Sequence, residues 1–263
     1  MTGSCANCGN TVEESQQFCA SCGQKANIHR ISFHEEAHDA VHYFTHADKG
    51  IVYLVKQLAS NPGVAAREYI GGKRKKYFPP LNFFLLVAAA YVFFVTVLNK
   101  PHAADSSNRE VIANRADSID PLIKERSAKV QQFMSRYSNY VAMVALPFVA
   151  FIFWLFYKKG KYNYTEHLVA CMYLIGFCLL MYALFILPLS KLLHTGNDIS
   201  LYAFFLLQVV YCGIFYYRFM NNYNRAGISK AFMISFISII AWFSFSFVLI
   251  FIYIVNGFWG LLH

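Results

Sequence analysis

Seven cysteines divide into two kinds by their surroundings. Cys5, Cys8, Cys19 and Cys22 stand in the paired segments CANCG and CASCG, each a C-x-x-C followed directly by glycine, Gly9 or Gly23. Two residues between thiolates let both sulfurs reach one ion, and the glycine permits the tight turn beneath it. Four thiolates complete the tetrahedral shell of Zn²⁺ and leave no open position, so the expected cofactor is one structural zinc. So short a module has too little core to fold alone, and metal is the usual remedy. Two disulfides, or a redox C-x-x-C, are the competing readings. Cys171, Cys178 and Cys212 fall inside apolar runs and read as small hydrophobes.

Three further groups have chemistry within reach. His34, His38, His42 and His46 recur every fourth residue beside Glu35 and Asp39, a spacing that suits a shared metal or a proton-sensitive face. The alternative is the polar flank of an amphipathic helix, since Phe33, Ala37, Val41 and Phe44 form an apolar stripe next to it. Glu166 and His167 open an apolar run, and Gln208 lies within another. Polar groups in hydrocarbon are functional candidates. An acid at a helix N-terminus is also simply favoured by the dipole, and Gln208 with Ser235, Ser238, Ser244 and Ser246 can serve as helix–helix glue. Lys73, Arg74, Lys75 and Lys76 form a cationic collar just before an apolar run. The collar is either a topology signal or a contact for anionic lipid. The chain holds no phosphate loop, nucleophile motif or paired intramembrane carboxylates, which argues against an ATPase and a proton-driven carrier.

The elements that must position these residues are mostly membrane helices. The 263 residues are 57% hydrophobic and 14% charged, against about a quarter charged in soluble domains. The net charge of +9 is therefore weak evidence for nucleic acid, and none is expected as a partner. The first thirty residues lack the basic start and apolar core of a secretory signal. The fold class expected is all-α: a five-span transmembrane bundle with a small N-terminal cytoplasmic zinc ribbon. The spans are 81–98, 141–157 (kinked at Pro147), 168–187, 201–219 and 232–255. Residues 1–27 are the ribbon, 28–78 amphipathic helices and collar, and 79–263 the bundle, with an extracytoplasmic helical segment at about 99–139. Within 28–78, short helices are expected over 32–47, over 51–59 and from an Asn61-Pro62 start to Gly71-Gly72. They could form an interfacial anchor. Asp120-Pro121 starts a helix that runs on into the second span, about 55 Å in all at 1.5 Å per residue. It stands far enough out to meet a partner or a second copy of itself. Trp259 anchors the tail at an interface.

Alternation of sides places Lys158, Lys159, Lys161, Arg218, Arg225 and Lys230 on the inner face and leaves only Lys191 in the short outer loop. The expected topology is N-terminus cytoplasmic and C-terminus extracytoplasmic, which agrees with a reducing compartment for the zinc thiolates.

The cysteine segment resembles the short zinc-ribbon module at the N-terminus of many bacterial membrane proteins. With GKRKKYFPP before the first span and YTEH at Tyr164 to His167, most of the chain resembles an uncharacterised bacterial membrane family, the domain of unknown function numbered 3667. That resemblance implies a zinc ribbon and a membrane bundle, with no known activity. In layout the five spans also resemble Yip1-type membrane proteins, which implies a scaffold or membrane-organising role. The expected protein is thus a non-enzymatic inner-membrane scaffold that docks a protein through its ribbon, contacts membrane lipids and can form homo-oligomers. The alternative is a small transporter or channel lined by Glu166, His167, Gln208 and the serines near the C-terminus.

Overall fold

A computed structural model of the chain describes residues 2–13, 15–26, 30–31, 50–98, 121–158, 160–193 and 197–256. The histidine stripe His34–His46 with its helix, the stretch 99–120 with Asp120, and the tail with Trp259 lie outside the described residues.

Thr2–Ser4 (β1) and Thr11–Glu13 (β2) pair antiparallel, with Gly3 opposite Val12. Gly50–Ser60 (α1) then places Leu54 and Leu58 one turn apart, both fully buried. Val64–Ile70 (α2) starts later than the Asn61-Pro62 pair suggests. Its N-cap is Gly63 at φ 78. The cause is tertiary: a Cβ at Gly63 would collide with the carbonyl of Phe215, so only glycine lets the turn sit there. Gly71 and Gly72 end α2, and Arg74–Lys76 make a single 3₁₀ turn.

Five longer helical stretches follow. They are Pro80–Leu98 (α3), Pro121–Phe156 (α4), Tyr164–Met181 (α5) continued by a π turn into Leu187–Leu192 (α6), Asn197–Phe219 (α7) and Arg225–Asn256 (α8). The 36 residues of α4 extend about 54 Å at 1.5 Å per residue. Pro147 lies within it, and its carbonyl accepts the Tyr164 hydroxyl at 3.2 Å. α8 begins well before the expected Phe232. The Asn224 side-chain oxygen accepts the Gly227 N–H at 2.5 Å and supplies the start. Arg225 and Lys230, read from sequence as loop, therefore stand on its first turns.

Among the described residues, four segments are long and apolar enough to cross a membrane: Arg74–Phe94, Tyr164–Leu192, Ile199–Phe219 and Arg225–Ile254. The expected second span corresponds to a shorter apolar stretch, Met143–Phe156, at the end of α4. The protein is a helical bundle with the apolar helices of a membrane protein.

The bundle is built around α5, which packs on α3, α4 and α7, while α8 covers α7 and α4. Every residue of α5 from Glu166 to Leu179 is buried. A Cβ on Gly176 would come within 2.8 Å of the Phe83 ring, so α3 approaches α5 at a bare backbone position. The Tyr173 hydroxyl donates to the Phe78 carbonyl at 2.6 Å and pins the start of α3. α1 and α2 share this core rather than lying loose on its surface: Ala65, Ala66 and Tyr69 are buried, and the Tyr211 hydroxyl donates to the Leu58 carbonyl at 3.0 Å.

Candidate functional site

The N-terminal cysteines converge. Their four sulfurs lie within 4.8 Å of one another, with Cys5–Cys22 and Cys8–Cys19 each at 3.6 Å. A metal–sulfur bond of about 2.3 Å in a tetrahedron puts sulfurs about 3.8 Å apart, so the set fits one ion. The four thiols are free, not disulfide-bonded. The two knuckles are built alike. Gly9 N–H donates to the Cys5 carbonyl at 2.9 Å and Gly23 N–H to that of Cys19 at 2.8 Å, and both glycines have positive φ. Cys5 and Cys19 N–H donate to Asn10 and Gln24 carbonyls, both at 2.8 Å. β1 and β2 flank the first knuckle, and a Phe18–Lys25 bridge flanks the second. Backbone hydrogen bonds from the Cys22 and Ser21 amides pull the Cys19 thiol down. The Asn7 side chain and the Gln24 backbone pull Cys22 down to about 6. Both effects prepare thiolates for a cation. Among the described residues the core here is only Cys5, Val12 and Cys19, with Cys22 against it, so the ion would supply most of the cohesion.

The module is tied to the bundle at the collar. Gln24 is buried and its side-chain oxygen accepts the Lys75 backbone N–H at 3.0 Å. Two collar cations are engaged within the protein: Lys73 at 3.0 Å and Lys76 at 2.7 Å contact the two oxygens of Glu68. The Tyr77 hydroxyl donates to Glu68 at 2.6 Å. Burial raises the Glu68 carboxyl, but these three partners outweigh it and hold the group at about 2.

Glu166 and His167 separate in role, as adjacent helix positions must. Glu166 closes a capping box with Asn163: its carboxylate accepts the Asn163 N–H at 2.7 Å, and its own N–H donates to the Asn163 side chain at 2.8 Å. His167 points inward and is fully buried. Tyr157 and Tyr216 lie nearly parallel to its ring at 6.2 and 5.9 Å, and Tyr162 and Phe219 meet it edge-on. Its Nδ1 is 3.4 Å from the Tyr216 hydroxyl, which also contacts the Cys171 sulfur at 3.3 Å. Its Nε2 is buried without a hydrogen-bond partner among the described residues. Gln208 is half-buried on α7, about two turns before Tyr216, the α7 residue that meets His167. Ser235 and Ser238 are buried but bond carbonyls of their own helix, at 2.7 and 2.9 Å. Ser244 is exposed and Ser246 half-buried.

Beside Glu166 the collar end of the bundle holds a cavity of about 820 Å³. Arg30, Arg67, Lys161 and Lys230 line it, and Tyr157 and Tyr216 lie deep in its wall. Of these only Lys161 and Lys230 drew attention in the sequence, as topology signals. The available signal was weak: each cation stands at a turn or helix end next to an apolar run, far from the others along the chain.

Residues 48–92 match a family described as "Protein of unknown function (DUF3667)". The matched stretch takes in α1, α2, the collar and most of α3. No curated protein and no solved structure matches the chain.

Proposed function

We propose that the protein is a non-enzymatic scaffold of the bacterial inner membrane, a five-span bundle whose zinc-loaded N-terminal module docks a cytoplasmic protein. In this reading Met143–Phe156 ends a helix that crosses the membrane as the second span, and the long charged half of α4 stands outside. The observation that supports a scaffold is the central helix: α5 is buried from Glu166 to Leu179, and its polar residues Glu166 and His167 sit only at the collar end. Beyond them it offers an apolar column with no polar route. The exposed Leu122, Ile123 and Phe133 on the outer half of α4 suit contact with a partner or a second copy.

The test compares partners crosslinked in cells to the full chain and to its Cys5→Ser and Cys22→Ser variants. The proposal expects defined cytoplasmic partners lost in both variants while the bundle still inserts. An unchanged set of partners would reject docking through the module. The transporter reading draws on the cavity beside Glu166. Solute flux in reconstituted vesicles, abolished by Glu166→Gln, would replace the scaffold with that reading.

A further inference from the structure

The four cations around the collar-end cavity come from four separate places in the chain. Arg30 donates to the Lys161 carbonyl at 2.7 Å and lies 3.8 Å from Glu166. Arg67 is held by neutral groups: its guanidinium donates to the Arg218 carbonyl at 2.9 Å and to the Asn221 side chain at 2.5 Å. Lys230 stands over the Tyr157 ring at 4.6 Å. Among the described residues Glu166 is the one acid in the lining, and both its oxygens already have partners, Arg30 and the Asn163 N–H. Among the described residues the cavity thus carries a surplus of positive charge facing an open volume. Cations gathered without matching acids repel one another, and an anion relieves that.

Location narrows the anion. α5 and α8 begin at this end, α7 ends here, and the cavity wall includes Gly71, just before the collar and α3. The cavity therefore lies where the crossing segments meet water, at headgroup depth. Its wall also has an apolar side, with Ile70, Phe156 and Met220. Phe156 is exposed and continues that side onto the outer surface of the bundle. Cations over aromatic rings beside an apolar rim suit a phosphate attached to something greasy. The collar itself is less suited, since Lys73 and Lys76 already face Glu68.

We propose that this cavity binds a phosphate group at the membrane surface, with Arg30, Arg67 and Lys230 as its cationic contacts. The phosphate comes either from an anionic phospholipid headgroup or from a free phosphate ester, and the chemistry of recognition is shared.

The test uses the full-length, metal-loaded protein in a zwitterionic detergent. Dioctanoyl phosphatidylglycerol, glycerol 3-phosphate and inorganic phosphate are titrated separately, and binding is read by calorimetry. The double variant Arg30→Gln/Lys230→Gln changes two exposed side chains and leaves the packed core intact. Lys75→Gln serves as the collar control. Saturable binding of the lipid alone, weakened at least about tenfold in the double variant and unchanged in the control, supports the proposal with a headgroup as source. Equal binding of glycerol 3-phosphate, with the same variant pattern, supports it with a free ester as source. No saturable binding of any probe overturns it. So does binding that the double variant leaves intact while its unliganded melting temperature matches that of the parent.

Discussion

Cys5, Cys8, Cys19 and Cys22 hold together a module with almost no other core. Apparent binding energies of structural zinc are about 10–16 kcal/mol in small thiolate sites, far more than so few apolar side chains supply. The large core of the bundle shares no residue with this small one. Replacing one ligand, as in Cys5→Ser or Cys22→Ser, is therefore expected to release one metal per chain and to leave the helical melting of the bundle nearly unchanged. Elemental analysis and circular dichroism on the same preparations check this; a bundle that melts with the metal would show the two parts to be one unit. Glu68 offers a second test at this scale. Its folded value of about 2 lies below the ordinary 4.5, so its ion pairs stabilise fully above about 4.5. That contribution drains away as pH falls from about 4.5 toward 2. Glu68→Gln is expected to cost about 1–3 kcal/mol at pH 7. The gap in melting temperature between parent and variant should narrow by pH 3 and close only as pH approaches 2. The metal site, protonated in both proteins at that pH, drops out of the comparison.

At the scale of elements, α5 starts through a cap whose parts adjoin in sequence, Asn163 and Glu166; Glu166 was legible as an acid at a helix N-terminus, while the helix begins at Tyr164, ahead of the expected 168, because Asn163 caps it. The knuckles were legible likewise, because C-x-x-C-G spacing is local chemistry. Other features depended on residues far apart. Gly63 caps α2 because Phe215 passes close by, and nothing near Gly63 announces that. The start of α8 rests on an Asn224–Gly227 bond inside a polar stretch that reads as loop by composition. The cavity joins Arg30, Arg67 and Lys230, which no spacing rule connects. For α5 itself, Glu166→Gln keeps the capping-box geometry and removes a charge beside the helix N-terminus, which is expected to cost about 0.3–1 kcal/mol. His167 should behave oppositely. A buried Nε2 with no partner among the described residues carries a desolvation cost of about 1–3 kcal/mol. His167→Phe removes that atom, keeps a flat ring between Tyr157 and Tyr216, and leaves the Tyr216 hydroxyl its Cys171 contact. Its melting temperature is expected to hold or rise. A sharp fall would show that Nε2 has a bound partner and that His167 belongs to a working site.

At the scale of the whole molecule, direction in the membrane ties the module, the cavity and the long helix together. The collar end gathers Lys73–Lys76, Lys161, Arg218, Arg225 and Lys230 near the ends of the crossing segments. Such a concentration of Lys and Arg is retained on the cytoplasmic side. The proposed topology follows from this, with the cysteines in a reducing compartment and the charged half of α4 outside. Ser229, exposed on the first turns of α8, and Ser127, exposed on the first half of α4, report the two sides. Asn163 would be a poor reporter, since changing it breaks the cap of α5. In a background with Cys171, Cys178 and Cys212 changed to Ala, Ser127→Cys and Ser229→Cys are each treated in intact spheroplasts with an impermeant maleimide. Labelling at 127 and protection at 229 until the membrane is opened is the expected result. The reverse pattern would invert the protein and place the metal module and the cationic cavity outside. Labelling at both positions in intact cells would mean that α4 does not cross as the second span, leaving only the four long apolar segments to traverse the bilayer. An even number of crossings returns the chain to its starting side, so this third result would also move the end of α8 to the cytoplasm.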